Sequence, residues 1–134
     1  MEYVWDKSLE TGNRQIDAQH QQLFVALNNL VNTYKAGKGK DELKKSLDFL
    51  TDYTIKHFFD EEQLQQHYKY PGFENHKKYH DDFKKVARNF SVELIMKGAS
   101  DSLIKDVQST VGSWLVTHIK GEDAKVAAYI RSHS

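Results

Sequence analysis

Apolar residues recur at three- and four-residue spacing in four segments of this chain, and histidine interrupts every one of the four stripes. The first stripe runs Ile16, His20, Leu23/Phe24, Leu27, Leu30/Val31, Tyr34 and stops at Gly37-Lys38-Gly39. The second runs Leu43, Leu47, Leu50, Thr54, His57, Glu61, Leu64, and Pro71 disfavours helix at Tyr70. The third begins near Pro71, runs Phe73, His76, His80, Phe83, Ala87, Phe90, Leu94, and ends before Gly98. The fourth, with Ser100 or Asp101 as its cap, runs Ile104, Val107, Val111, Trp114/Leu115, His118. This period is that of an amphipathic helix. One proline and seven glycines in 134 residues leave few turn formers for a multi-stranded fold. The expected fold is all-α: an up-down-up-down antiparallel four-helix bundle. The first fifteen or so residues form an N-terminal arm anchored by Trp5, and a short C-terminal helix carries Val126, Ala127 and Ile130.

The interruptions carry the chemistry. Five imidazoles and two carboxylates turned into one core impose a heavy desolvation cost unless an ion compensates it. His57/Glu61 and His76/His80 are each four apart, which puts each pair on one helix face. His118 and Asp123 are five apart, a rotation of about 140° on an ideal helix. Both face inward only if the helix ends or loosens at Gly121, or if a π-type bulge intervenes. A lone histidine on a helix face is usually a hydrogen-bonded core residue. Three spaced pairs, with all four helices contributing, point instead to metal ligation by His20, His57, Glu61, His76, His80, His118 and Asp123. Two six-coordinate ions offer twelve positions. Five imidazoles, two carboxylates bridging both ions and one bridging oxygen fill eleven, and leave one open for a small ligand. The donor types suit iron better than copper(I) or calcium, while zinc and manganese also accept them. His67 lies off the ligand face and His133 near the C-terminus; both are expected to be solvated, and Glu62 and Asp60 are expected at the surface.

Lys+Arg and Asp+Glu both count 19, so the chain lacks the basic excess of a nucleic-acid binder. No polybasic membrane face is evident, and no stretch approaches the roughly 20 apolar residues that span a bilayer. The absence of cysteine excludes disulfides, iron–sulfur clusters and thiolate zinc sites. The N-terminus, MEYVWDKSLE, has no apolar run of signal-peptide length, and a cytoplasmic protein is expected.

The ordered set H…HxxxE…HxxxH…HxxxxD resembles the hemerythrin family, and in particular its single-domain bacterial members. The likeness spans nearly the whole chain. It takes in Trp5, Ile16-Asp17-Ala18-Gln19-His20, His57-Phe58-Phe59-Asp60-Glu61-Glu62, Tyr70-Pro71, His76-Lys77-Lys78-Tyr79-His80, Trp114-Leu115, His118-Ile119 and Asp123. Two positions depart from it: Gln65 stands where members often carry Met, and Asn13 where an apolar residue is common. The resemblance implies one domain over residues 1–134, with a non-haem pair of Fe2+/Fe3+ ions, a bridging oxo or hydroxo group, and reversible O2 binding. By that analogy His76, His80 and His118 hold a saturated iron, His20 and His57 hold the iron with the vacancy, and Glu61 and Asp123 bridge. O2 would bind at the open iron and take its proton from the bridging hydroxide. Phe58, Trp114, Leu115 and Ile119, next to the ligands in sequence, are expected to line a dry O2 pocket. The expected role is oxygen carriage, storage or scavenging rather than catalysis, with a separate O2-consuming protein as recipient. An O2- or redox-sensing module and a weak di-iron peroxidase are the alternatives. Against an oxidase, ferritin-like di-iron sites use Glu-x-x-His, and no such motif occurs here.

Overall fold

The computed structural model describes residues 4–133. Local signals set the helix ends. Asn13 adopts an extended backbone and its side chain accepts from the Ile16 amide, which starts α1, Arg14–Lys35. Asn13 is thus an N-cap, which satisfies an orphan donor of the first turn. Helix α2 spans Lys40–His67 and α3 spans Phe73–Lys97. Pro71 lies in the preceding turn rather than inside α3. Gly98 ends α3 with φ +80°, a left-handed conformation that a side chain would disfavour. Ser100, not Asp101, caps α4, Asp101–His118, by accepting from the Leu103 amide. Beyond it the chain does not break. A π-helical turn, Ile119–Asp123, leads directly into α5, Ala124–Ser132.

The helices form the expected antiparallel bundle, α1 packing along α2, α2 along α3, and α4 against α1 and α3. The arm enters as a 3-10 turn, Lys7–Leu9, whose Asp6 accepts from the Ser8 amide. Leu9 is buried, and Trp5 packs against the main core. Among the described residues there is no strand, and no helix is long and apolar enough to cross a membrane.

Two separate apolar clusters build the interior. The larger gathers Leu23–Val31 of α1, Leu43–Leu50 of α2, Phe83 and Leu94 of α3, and Leu103–Leu115 of α4. The smaller joins Ile16, Val126 and Ile130 with Leu64, Tyr68 and Tyr70. On each helix that reaches both clusters, ligands mark the place where one set gives way to the other: His20 lies between Ile16 and Leu23 on α1, Glu61 between Phe58 and Leu64 on α2, and Asp123 between Ile119 and Val126 on the α4–α5 run, with His57 and His118 directly preceding Phe58 and Ile119. The fold therefore closes a polar layer between two dry ones.

Candidate metal centre

All seven predicted ligands converge. Each is buried, His118 being 6% exposed and the other six at most 2%. They fall into two groups whose potential donor atoms lie within 4.8 Å of one another. One group is Glu61, His76, His80, His118 and Asp123; the other is His20, His57, Glu61 and Asp123. Both carboxylates belong to both groups, and their oxygens divide between them. Glu61 Oε1 lies 2.7 Å from His76 Nε2 and 3.3 Å from His80 Nε2, while Oε2 lies 3.5 Å from His57 Nε2. Asp123 Oδ1 lies 3.0 Å from His76 Nε2 and 3.1 Å from His118 Nε2, while Oδ2 lies 2.8 Å from His20 Nε2. All five imidazoles thus turn Nε2 inward.

The π turn explains Asp123. Its i→i+5 hydrogen bonds carry one more residue per turn than an α-helix, so a residue five positions on returns to the same face. Helix ending at Gly121 is not needed: the helix continues, and a Cβ on Gly121 would meet open space.

The inward atoms need a partner. His20 Nε2, His80 Nε2, both Glu61 oxygens and Asp123 Oδ1 are buried, and their neighbours in the cluster, though close, are not aligned as fully formed hydrogen bonds. Burial works against charge on the Asp123 carboxyl, but the polar contacts of the His118, His20 and His76 imidazoles prevail and hold it well below the usual carboxylate range. Burial and the nearby Asp123 charge likewise oppose ionisation of Glu61, and the polar contacts of the His76 and His80 imidazoles outweigh them to keep it low. Burial alone would drive the His76 imidazole down. Its hydrogen bonds to Asp123 and Glu61 push it up to about 9. His57 has no such compensation, and burial pushes it down to about 4. Two anionic carboxylates amid imidazole nitrogens in a closed interior are a donor set that fits divalent or trivalent cations of borderline hardness.

The outward nitrogens show what the sequence did not locate. His57 Nδ1 donates to Gln19 Oε1 at 2.7 Å, and the Gln19 amide donates to Asp60 at 2.8 Å. His80 Nδ1 donates to Glu62 Oε2 at 2.9 Å. The expectation of surface positions for Glu62 and Asp60 is therefore corrected: Glu62 is buried and Asp60 half-buried. Glu62 sits about 100° round the helix from Glu61, on the side where His80 of α3 packs. No signal within α2 discloses that neighbour. Gln65, one turn beyond Glu61, is fully buried with both amide atoms unpaired. His67 and His133 are exposed, as expected.

Of the expected pocket wall, Phe58, Leu115 and Ile119 are buried. Phe58 stacks on His80 with centroids 3.8 Å apart and planes 5° from parallel, and its centroid is 5.9 Å from that of His57. Trp114 stacks on His118 at 4.3 Å and 14°, but it is only half-buried and borders the surface. On the opposite side Trp5 lies 6.3 Å from His20 and 6.1 Å from Phe24, two contacts that sequence neighbourhood did not flag.

The hemerythrin HHE cation binding domain family matches residues 11–130. A bacteriohemerythrin of Stenotrophomonas maltophilia is 28% identical over 97% of this chain and 82% of its own length. A myohemerythrin of Sipunculus nudus is 34% identical over 92% of this chain and 89% of its own. The crystal structure of a wild-type hemerythrin superposes with a TM-score of 0.83 at 30% identity, covering 93% of this chain and 95% of that one. Taken with a bundle that folds two carboxylate-sharing donor groups into its core, a match of this extent has one meaning: the chain belongs to the hemerythrin family.

Proposed function

We propose that this protein binds O2 reversibly at a pair of iron ions held by His20, His57, Glu61, His76, His80, His118 and Asp123, and that it works as an oxygen carrier or store rather than as an enzyme. The observation that carries the reading is the unequal sharing of donors. One group offers an ion three imidazoles and two carboxylate oxygens; the other offers two imidazoles and two carboxylate oxygens. With one shared oxygen from solvent, the His20/His57 side stays one donor short of six. When bound, the iron pair supplies the ferrous–ferric couple that lets O2 bind and leave.

The chain's own residues do the rest. Glu61 and Asp123 each turn one oxygen to either group of imidazoles, so both would be shared between the two ions and would offset part of their charge. Gln19 and Glu62 lock the His57 and His80 rings in the tautomer that leaves Nε2 free to ligate. Phe58, Leu115 and Ile119 keep water from the centre. Trp5, packed against Phe24, covers the side of His20. A dry site disfavours any change of net charge and so favours a reaction that only redistributes it internally.

The test is spectroscopic. Iron-loaded, anaerobically reduced protein should gain charge-transfer absorption on exposure to air and lose it on deoxygenation. Iron-loaded protein whose spectrum ignores O2 would sink the reading.

A further inference from the structure

A neutral imidazole that binds an ion through Nε2 carries its proton on Nδ1, and a buried proton of that kind needs an acceptor. His57 has Gln19 and His80 has Glu62. His76 Nδ1 and His20 Nδ1 are buried and unpaired. Outside the seven ligands, two side chains among the described residues carry buried, unpaired polar atoms: Thr51 and Gln65. Thr51 lies ten residues before Glu61 on α2, roughly 15 Å along the helix and out of reach of the centre. Gln65 lies one turn after Glu61 and is fully buried, with neither its amide oxygen nor its amide nitrogen paired.

Helix register says which imidazole Gln65 meets. Helices α2 and α3 run antiparallel, and Glu61 Oε1 lies 3.3 Å from His80 Nε2. One turn on in α2 is Gln65; one turn back in α3 is His76. The same step taken from the approach of Glu61 to His20, 3.9 Å, reaches Ile16, which has no polar side-chain atom to offer. The connection between α2 and α3 is pinned at this level too, the Tyr70 amide donating to the Gln65 carbonyl. His76 Nε2 lies 2.7 Å from Glu61 Oε1 and 3.0 Å from Asp123 Oδ1, so the inner edge of the ring is held by both carboxylates while its outer nitrogen is unpaired.

We propose that Gln65 is a further positioning residue of the metal centre: its amide oxygen takes the Nδ1 proton of His76 and so fixes the ring that both carboxylates contact. The proposal rests on the reading of the seven residues as metal ligands, and not on O2 binding. Metal supplies the alignment. With Nε2 on an ion, the proton of His76 is confined to Nδ1, and the flexible Gln65 side chain turns its oxygen to meet it. A neutral amide orients the ring without adding another carboxylate to a layer that already holds Glu61, Glu62 and Asp123.

Two variants separate positioning from packing. Gln65→Met keeps the size and removes both polar atoms; Gln65→Glu keeps an acceptor. Zinc accepts the same donors and is diamagnetic, so nitrogen-edited NMR of zinc-loaded protein reads the His76 Nδ1 proton directly. In wild type that proton should exchange slowly with solvent and show a cross-relaxation contact to the Gln65 side chain. Its exchange should quicken about tenfold in Gln65→Met, the weight of one hydrogen bond, and its resonance should move downfield in Gln65→Glu. Zinc affinity, read by chelator competition, should fall roughly 10- to 100-fold in Gln65→Met and recover in Gln65→Glu. The melting temperature of metal-free Gln65→Met should hold or rise, because the substitution removes unpaired buried polar atoms. A His76 Nδ1 proton with wild-type shift and exchange in Gln65→Met, or wild-type zinc affinity in that variant, would overturn the proposal. Wild-type protein that takes up no zinc is a distinct result: it overturns the ligand reading itself, and the proposal with it.

Discussion

Glu62 shows how much one buried carboxylate contributes at the residue scale. It lies outside the donor cluster, yet it accepts the Nδ1 proton of His80 and so decides how that ring is oriented and how basic its other nitrogen is. Gln19 does the same for His57 with a neutral amide, itself braced by Asp60, which Lys56 contacts at 2.9 Å. Glu62→Leu should keep the fold and weaken iron binding by roughly 10- to 100-fold, the usual effect of losing such a partner. Chelator competition measures this. Unchanged affinity would reduce Glu62 to a packing residue.

The π turn decides the site at the scale of the element. Bulging by one residue lets His118 and Asp123 share a face and returns α5 to the phase that buries Val126, Ala127 and Ile130. Deleting Gly121 restores four-residue spacing, which an ordinary α-helix also places on one face. Inserting a single alanine after Gly121 turns everything beyond it by about 100°. We therefore expect the deletion to retain most of its iron and the insertion to fall well below two irons per chain, with comparable helical circular dichroism in both. Equal iron content in the two variants would show that the turn does not set the ligand geometry. The stripes themselves were legible in the sequence because a helix's period is local. The choice between a helix broken at Gly121 and a π bulge was not, because both satisfy the same spacing. Packing of α5 against the Ile16 cluster selects a continuous helix.

For the whole molecule, the polar layer makes stability and metal binding depend on pH together. In the metal-free protein His76 is raised from 6.5 to about 9, so it is protonated at neutral pH and paired with Asp123 and Glu61. A raised histidine stabilises the fold fully below its unfolded value of 6.5 and loses that contribution as pH climbs through 9. Metal must displace the same proton. Between pH 7 and 9, therefore, metal-free protein should melt at progressively lower temperature while apparent metal affinity rises, by about tenfold per pH unit for one proton released. Melting curves and chelator competition across that range test both signs. His57, held at about 4 by burial, is already neutral there and adds nothing to the slope.

The sequence by itself determined the four amphipathic helices and the cap of the fourth, and it marked as ligands seven residues that the fold brings into contact. Those properties are written in short-range spacing: an apolar residue every turn, a histidine where one should be apolar, a carboxylate one turn on. Only the tertiary structure decided what lies beyond one helix. It paired His80 with Glu62 and His57 with Gln19 across helix interfaces. It sealed the polar layer between two apolar clusters. It also set buried His118 and half-buried Trp114 against a surface depression. Hydrogen-bond partners and exposure depend on how helices dock against one another, a relation that no spacing within a single helix encodes.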